Sequence, residues 1–203
     1  LHKPSSIPNL PLKELSFSGD SLYVAHGGYW LDRFVNPCLI PSLKDGKWTL
    51  RTDASMQTFK WTDKVYDVTS VAVHPKVRDK FYFSTWGEGV FEVTQGVITN
   101  HFNESKTNGL FQSAIPGSDH YVRVDGLQFD KDGNLWVLNS YSGIKILDTQ
   151  GNWHQLNYPV LAGCPALRHL LFTSKWTWCV DVRVKQGVFV FSHNGTLDDM
   201  SDD

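Results

Sequence analysis

FDKDGNLWVLNSYSGIKILDTQGNWHQL, residues Phe129 to Leu156, carries three strand-and-turn signals in succession. Asp132-Gly133 supplies the positive φ values of a tight hairpin turn, and the β-favouring run Leu135-Trp136-Val137-Leu138 follows it. Ser142-Gly143 turns the chain into Ile144-Lys145-Ile146-Leu147, and Gln150-Gly151 turns it again into the strand around Trp153. With Val122 to Phe129 in front, the stretch predicts a four-stranded antiparallel meander.

The same order recurs along the chain. Phe81 to Thr85, Gly89 to Val93, the Gln95-Gly96 turn and Val97-Ile98 form one copy. Trp178 to Val180, Gly187 to Phe191 and Asn194-Gly195 form another, and Leu22 to Val24, Gly28 and Asp45 to Trp48 a looser first one. Unequal spacing rules out a strict repeat, but about four such units suit an all-β propeller built from four-stranded blades, or another repeated antiparallel sheet. The blades are placed at 12–50, 68–102, 122–156 and 166–197, with the acidic stretch 198–203 as a tail or the lead into a missing blade. Open blade faces leave apolar surface in water, so an incomplete ring is expected to self-associate through its open edges.

Aromatic residues make up 13% of the chain, and Lys+Arg 19 against Asp+Glu 21 leaves a net charge of -2. That composition fits a core-forming domain and lacks the basic footprint of a nucleic-acid binder. No apolar run approaches the roughly 18 residues of a membrane span. No leader pattern follows Leu1, so the chain reads as a mature or excised segment. Cys38, Cys164 and Cys179 cannot all pair within one chain, and no C-x-x-C pattern is present. Asn103-Glu104-Ser105 and Asn194-Gly195-Thr196 match the N-glycosylation acceptor pattern.

Loop length predicts where function sits. In a meander, the turn between strands two and three shares an end with the connection to the next blade. That end collects Gly27 to Asn36, Arg51 to Asp67, Asn103 to His120 and Asn157 to Pro165, whereas the opposite turns are short. A loop-rich face on a rigid scaffold is a common seat of binding. It would present Trp30, Trp61, Tyr66, Tyr121, Lys60, Lys64 and Lys106 around the chosen ligand-binding candidates Tyr29, Arg33, Trp86 and Tyr141. Aromatic planes with cations can hold sugar rings or an anionic glycan, or the aromatics can instead fold back and plug gaps between blades.

Signals for chemistry are thin. Asp130 to Gly133 opens like a calcium loop, but glycine falls at the fourth place rather than the sixth, and a hairpin turn explains it better. The histidines form no H-E-x-x-H or other close metal-ligand pair, so no metal or cofactor is expected. His74, His101 and His154 read as ordinary strand or loop residues. Ser84 to Gly87 is not G-x-S-x-G; Glu88 and Glu92 could belong to a carboxylate site, yet alternation along a strand equally makes them solvent-facing. No catalytic residue is assigned. An exposed His or Tyr beside an Arg and a carboxylate would favour an enzyme.

The Asp-x-x-Gly-Asn-Leu-Trp block, Asp130 to Trp136, resembles the repeats of two-component-regulator propellers. A wider pattern surrounds it: Gly27-Gly28-Tyr29 with Arg33, Pro37 and Gly46-Lys47-Trp48; Asp67 to Pro75 ahead of Ser84 to Glu92; Arg123 to Leu127; and Asn194-Gly195-Thr196 with Ser201-Asp202-Asp203. That order resembles the N-terminal propeller of the PorZ family, cell-surface components of the type IX secretion system in Bacteroidetes. The resemblance implies a non-enzymatic, exported adaptor that binds anionic lipopolysaccharide and sortase-complex proteins, and it implies a larger ring. It carries over no binding-residue motif. The alternatives are the periplasmic sensing propeller of a hybrid two-component histidine kinase and a polysaccharide-active propeller enzyme.

Overall fold

The structure, a computed structural model, describes residues 11–27, 33–57, 64–192 and 194–201. Fifteen strands make up almost all of its regular structure. Blade 1 is the meander β1 (Glu14–Ser18), β2 (Ser21–Ala25), β3 (Leu39–Lys44) and β4 (Lys47–Thr52), closed by the one-turn helix α1 (Asp53–Met56). Blade 2 holds β5 (Val68–Val73), β6 (Lys80–Gly87), β7 (Val90–Thr94) and β8 (Val97–Phe102). Blade 3 holds β9 (Val122–Phe129), β10 (Leu135–Asn139), β11 (Gly143–Leu147) and β12 (Trp153–Leu156). β13 (Leu167–Phe172), β14 (Thr177–Asp181) and β15 (Gly187–Phe191) form a fourth blade, which has three strands among the described residues, not the four expected.

Strands β1, β5, β9 and β13 pack side by side along the inner edge, so the blades radiate from a common axis as in a β-propeller. Three apolar clusters fill the spaces between successive blades. Ile40, Val68, Phe83 and Phe91 join blades 1 and 2; Val90, Val124, Leu127 and Val137 join blades 2 and 3; Trp136, Ile144, Leu167 and Cys179 join blades 3 and 4. Position in the stack decides burial. In β10 and β11 every residue is buried, because a neighbour covers each face. In β1 and β15 burial alternates, leaving Leu15, Phe17, Val188 and Val190 exposed on the outer faces of the terminal blades.

The Asp130 turn is architectural. Asp130 Oδ1 accepts the backbone N–H groups of Asp132, Gly133 and Asn134 at 3.0, 2.8 and 2.9 Å, and its Oδ2 accepts from the Asn134 amide and Trp136 indole, both at 2.8 Å. These donors occupy the carboxylate that a calcium loop would use for metal. Burial opposes ionisation, but the donors outweigh it and hold the carboxyl below the usual range. The three cysteines are buried free thiols. Asn103 is also buried, its Oδ1 accepting the Lys106 N–H at 3.0 Å, so it is a loop cap in this fold rather than an exposed glycan acceptor.

One departure shapes the loop face. The Trp-Gly-x-Gly segment does not leave the sheet at Trp86: β6 continues to Gly87 and pairs with Arg123 and Val122 of β9, fusing blades 2 and 3 into one sheet. Trp86 is fully buried, with the Arg123 guanidinium carbon 5.2 Å from its ring centroid. Trp86 therefore plugs a gap between blades and offers no surface to a ligand.

Candidate functional site

Where the connections of blades 1, 2 and 3 meet, the loop-rich face sinks into a cleft of about 760 Å³. Arg33 comes from the β2–β3 connection, Lys64 and Tyr66 from the segment between blades 1 and 2, and Glu88 from the β6–β7 turn. His101 is the penultimate residue of β8, and Lys106, Asp119, His120 and Tyr121 follow in the segment before β9.

Glycine makes room for the central ion pair. A Cβ on Gly87 would lie 2.6 Å from Arg33 Nε and 2.9 Å from the His120 carbonyl, so only glycine lets the guanidinium lie against the strand. Gly89, at φ +80, would place a Cβ 2.1 Å from the Phe102 carbonyl. Arg33 Nη2 then reaches Glu88 Oε1 at 2.9 Å, and Nη1 donates to the His120 carbonyl at 3.0 Å. Behind them, fully buried Asp67 accepts the Val35 and Asn36 N–H groups at 2.9 and 2.8 Å, with Arg33 Nε 4.0 Å away. Burial raises the Asp67 carboxyl above its ordinary range, and those amides and Arg33 limit the rise.

Above this base the groups are more open. His120 is exposed, with Nδ1 3.1 Å from Glu88 Oε2. His101 stacks on Phe91 with ring centroids 4.2 Å apart, touches the Glu88 carbonyl through Nε2, and has Lys106 Nζ 3.0 Å from its Nδ1. Asp119 accepts from Ser105 N–H at 2.9 Å and Ser105 hydroxyl at 2.5 Å. Burial opposes ionisation here too, but the Ser105 bonds prevail and keep Asp119 low. Lys64 and Lys106 stand exposed at the rim, and Tyr66 and Tyr121 are half-buried. The cleft thus combines two rim ammonium groups, two phenol rings and a fixed Arg33–Glu88–His120 set. It can hold an anion between the lysines and pack a flat ring against a tyrosine.

The candidates do not converge. Arg33 lines the cleft. Trp86 is buried. Tyr141 is exposed at the β10–β11 turn with φ 69, outside the cleft lining. Tyr29, with Trp30, Lys60 and Trp61, lies outside the described residues. Glu88, His101, Asp119 and His120 line the cleft as well, and of these the sequence marks only Glu88, as a possible carboxylate-site residue. Their signal was position: each sits at a strand end or in a connection on the loop-rich side.

No protein-family model matches the chain, and no curated protein matches it. Solved structures do. One is PorZ of Porphyromonas gingivalis, an essential surface component of the type-IX secretion system, at 24% identity and TM-score 0.82, covering 95% of this chain and 26% of that one. A second is the extracellular domain of the putative hybrid two-component system BT3049 from B. thetaiotaomicron, at 14% identity and TM-score 0.60, covering 96% of this chain and 24% of that one. A third is virginiamycin B lyase from Staphylococcus aureus, at 11% identity and TM-score 0.56, covering 94% of this chain and 58% of the lyase. The chain spans about a quarter of the length of the first two. These likenesses show the β-propeller fold.

Proposed function

We propose that the chain is the propeller region of an exported, non-enzymatic adaptor of type IX secretion, which binds anionic lipopolysaccharide and works beside sortase-complex proteins. The observation that carries this reading is the match to PorZ, at TM-score 0.82 over 95% of the chain. The loop-face cleft supports it locally, since Lys64 and Lys106 flank a ring-lined hollow suited to an acidic sugar. The test is deletion of the gene in its own host. Cargo should then accumulate without its lipopolysaccharide anchor, and the intact gene should restore attachment. Normal anchoring in the deletion strain contradicts the reading.

Two observations favour other readings. The match to the BT3049 extracellular domain favours a sensing propeller. Exposed His120 beside Glu88 and Arg33 is the arrangement that favours an enzyme, with His120 as a general base and Arg33 countering charge on an acidic sugar. Cleavage of an acidic polysaccharide by the chain, abolished by His120→Ala, would displace the adaptor reading.

A further inference from the structure

On the opposite face, where the turns are short, blades 2 and 3 part to leave a groove of about 370 Å³. That lies within the roughly 300–1,000 Å³ range of small-molecule sites. The blade 2 wall is a polar row in register: Tyr82 pairs with Glu92, and Glu92 with Asn100. On the other side of the same strands, Phe83 stacks on Phe91 and Phe91 on His101.

Glu92 is 9% exposed. Its carboxylate accepts from the Tyr82 hydroxyl at 3.0 Å, the Asn100 amide at 3.3 Å and the Thr99 hydroxyl at 3.1 Å, with Lys80 Nζ at 3.3 Å. Burial pushes the Glu92 carboxyl up, and Lys80 with the hydrogen-bond donors pulls it further down, so it stays ionised at neutral pH. An apolar residue would pack between two blades without that desolvation cost. The groove floor is aromatic: Phe102 meets Trp153 edge to face at 5.1 Å, and Phe129 lies beside Tyr82 at 5.9 Å. The far wall is the Asp148 to Gly151 turn of blade 3, and Asn100 and Gln150 are exposed where the two walls approach.

We propose that this groove is a second ligand site, for a neutral sugar residue such as a hexopyranose within an oligosaccharide. The apolar face of a pyranose suits an aromatic floor, and its hydroxyls, each donor and acceptor, suit the mixed groups of Lys80, Asn100 and Gln150. Charge gives an anion no hold here, because Lys80 is paired with Glu92 and Asp148 with His154. Among the described residues the site shares no lining residue with the loop-face cleft, and it stands whether or not that cleft binds acidic glycan.

The test is amide-resolved NMR titration of the whole chain with neutral hexoses and their short oligomers, beside glucuronate and a sugar phosphate. A neutral sugar should bind with a dissociation constant on the order of 1 mM and shift the amides of Asn100, Gln150 and Trp153. Asn100→Ala and Gln150→Ala, both at exposed positions, should each weaken binding by about fivefold or more, while Lys106→Ala in the loop-face cleft should leave it unchanged. Melting curves show that each variant is folded. Absence of binding by the folded chain, preference for the anionic sugars, shifts centred elsewhere, or insensitivity to both groove variants overturns the proposal.

Discussion

Trp136 donates its indole N–H to Asp130 Oδ2 at 2.8 Å, and His154 takes the corresponding place toward Asp148, with Nε2 3.0 Å from Oδ2. Both aspartates also gather the backbone N–H of an asparagine four residues on, Asn134 at 2.9 Å and Asn152 at 2.8 Å. Two successive turns of blade 3 therefore share one device, in which an aspartate closes the hairpin and pins a ring from the next strand. Asp198 extends the second copy by bonding His154 Nδ1 at 2.8 Å, which docks the start of the acidic stretch onto blade 3.

Asp130→Ala should cost about 3 kcal/mol, because it leaves the buried indole N–H of Trp136 without its acceptor and opens the turn. Asp130→Asn, which keeps one acceptor oxygen, should cost about 1 kcal/mol. Urea denaturation followed by tryptophan fluorescence measures both. Calcium should leave the melting temperature of the native chain unchanged. A rise would return Asp130 to a metal-binding role.

Lys145 is fully buried in β11, with Nζ donating to the Ser142 carbonyl at 2.7 Å. Burial lowers its pKa to about 7. Since the folded value lies below the unfolded one, this group contributes stability that grows as pH rises from about 7 toward the ordinary lysine value. Lys145→Met, similar in volume, should stabilise the fold by about 2 kcal/mol at pH 7. The advantage should shrink as pH approaches 10. An equal advantage at both pH values would mean that the ammonium group carries no burial cost.

Glu14 has the opposite sign. Burial, and then the neighbouring charge of Asp125, raise its pKa to about 7, against partial relief from Lys13 and Arg168. The folded state binds this proton more tightly, so the contribution is full below the ordinary glutamate value and is lost as pH rises through about 7. Glu14→Gln should stabilise the protein by about 2 kcal/mol at pH 8 and have little effect at pH 4. Denaturation midpoints at the two pH values give the comparison, and a stabilisation that does not depend on pH counts against the assignment.

Much of the fold was legible because its turns carry their own chemistry. Asp130, Gly133 and Trp136 announce a hairpin and the strand after it, and the inner blade 3 strands are visibly β-favouring. Lys145 was not legible: a lysine alternating with isoleucines reads as solvent-facing, and only a blade covered on both sides buries it. Trp86 was misplaced for a similar reason. The glycines after it read as a loop, whereas Gly87 keeps the strand going so that it can pair with β9 and admit Arg33. The loop-length argument points to the side of the molecule where the Arg33 cleft lies, but the union of Arg33, Glu88 and His120 depends on three connections distant in sequence. No local spacing encodes it.

Lipopolysaccharide recognition at the loop face is measured by surface plasmon resonance of the immobilised chain against anionic lipopolysaccharide and a neutral lipopolysaccharide of the same host. The expected result is selective binding of the anionic form, weakened by salt and reduced about tenfold or more in the Lys64→Ala, Lys106→Ala double variant. Equal binding of both forms, or binding that ignores salt and the double substitution, would contradict the adaptor reading at the loop face.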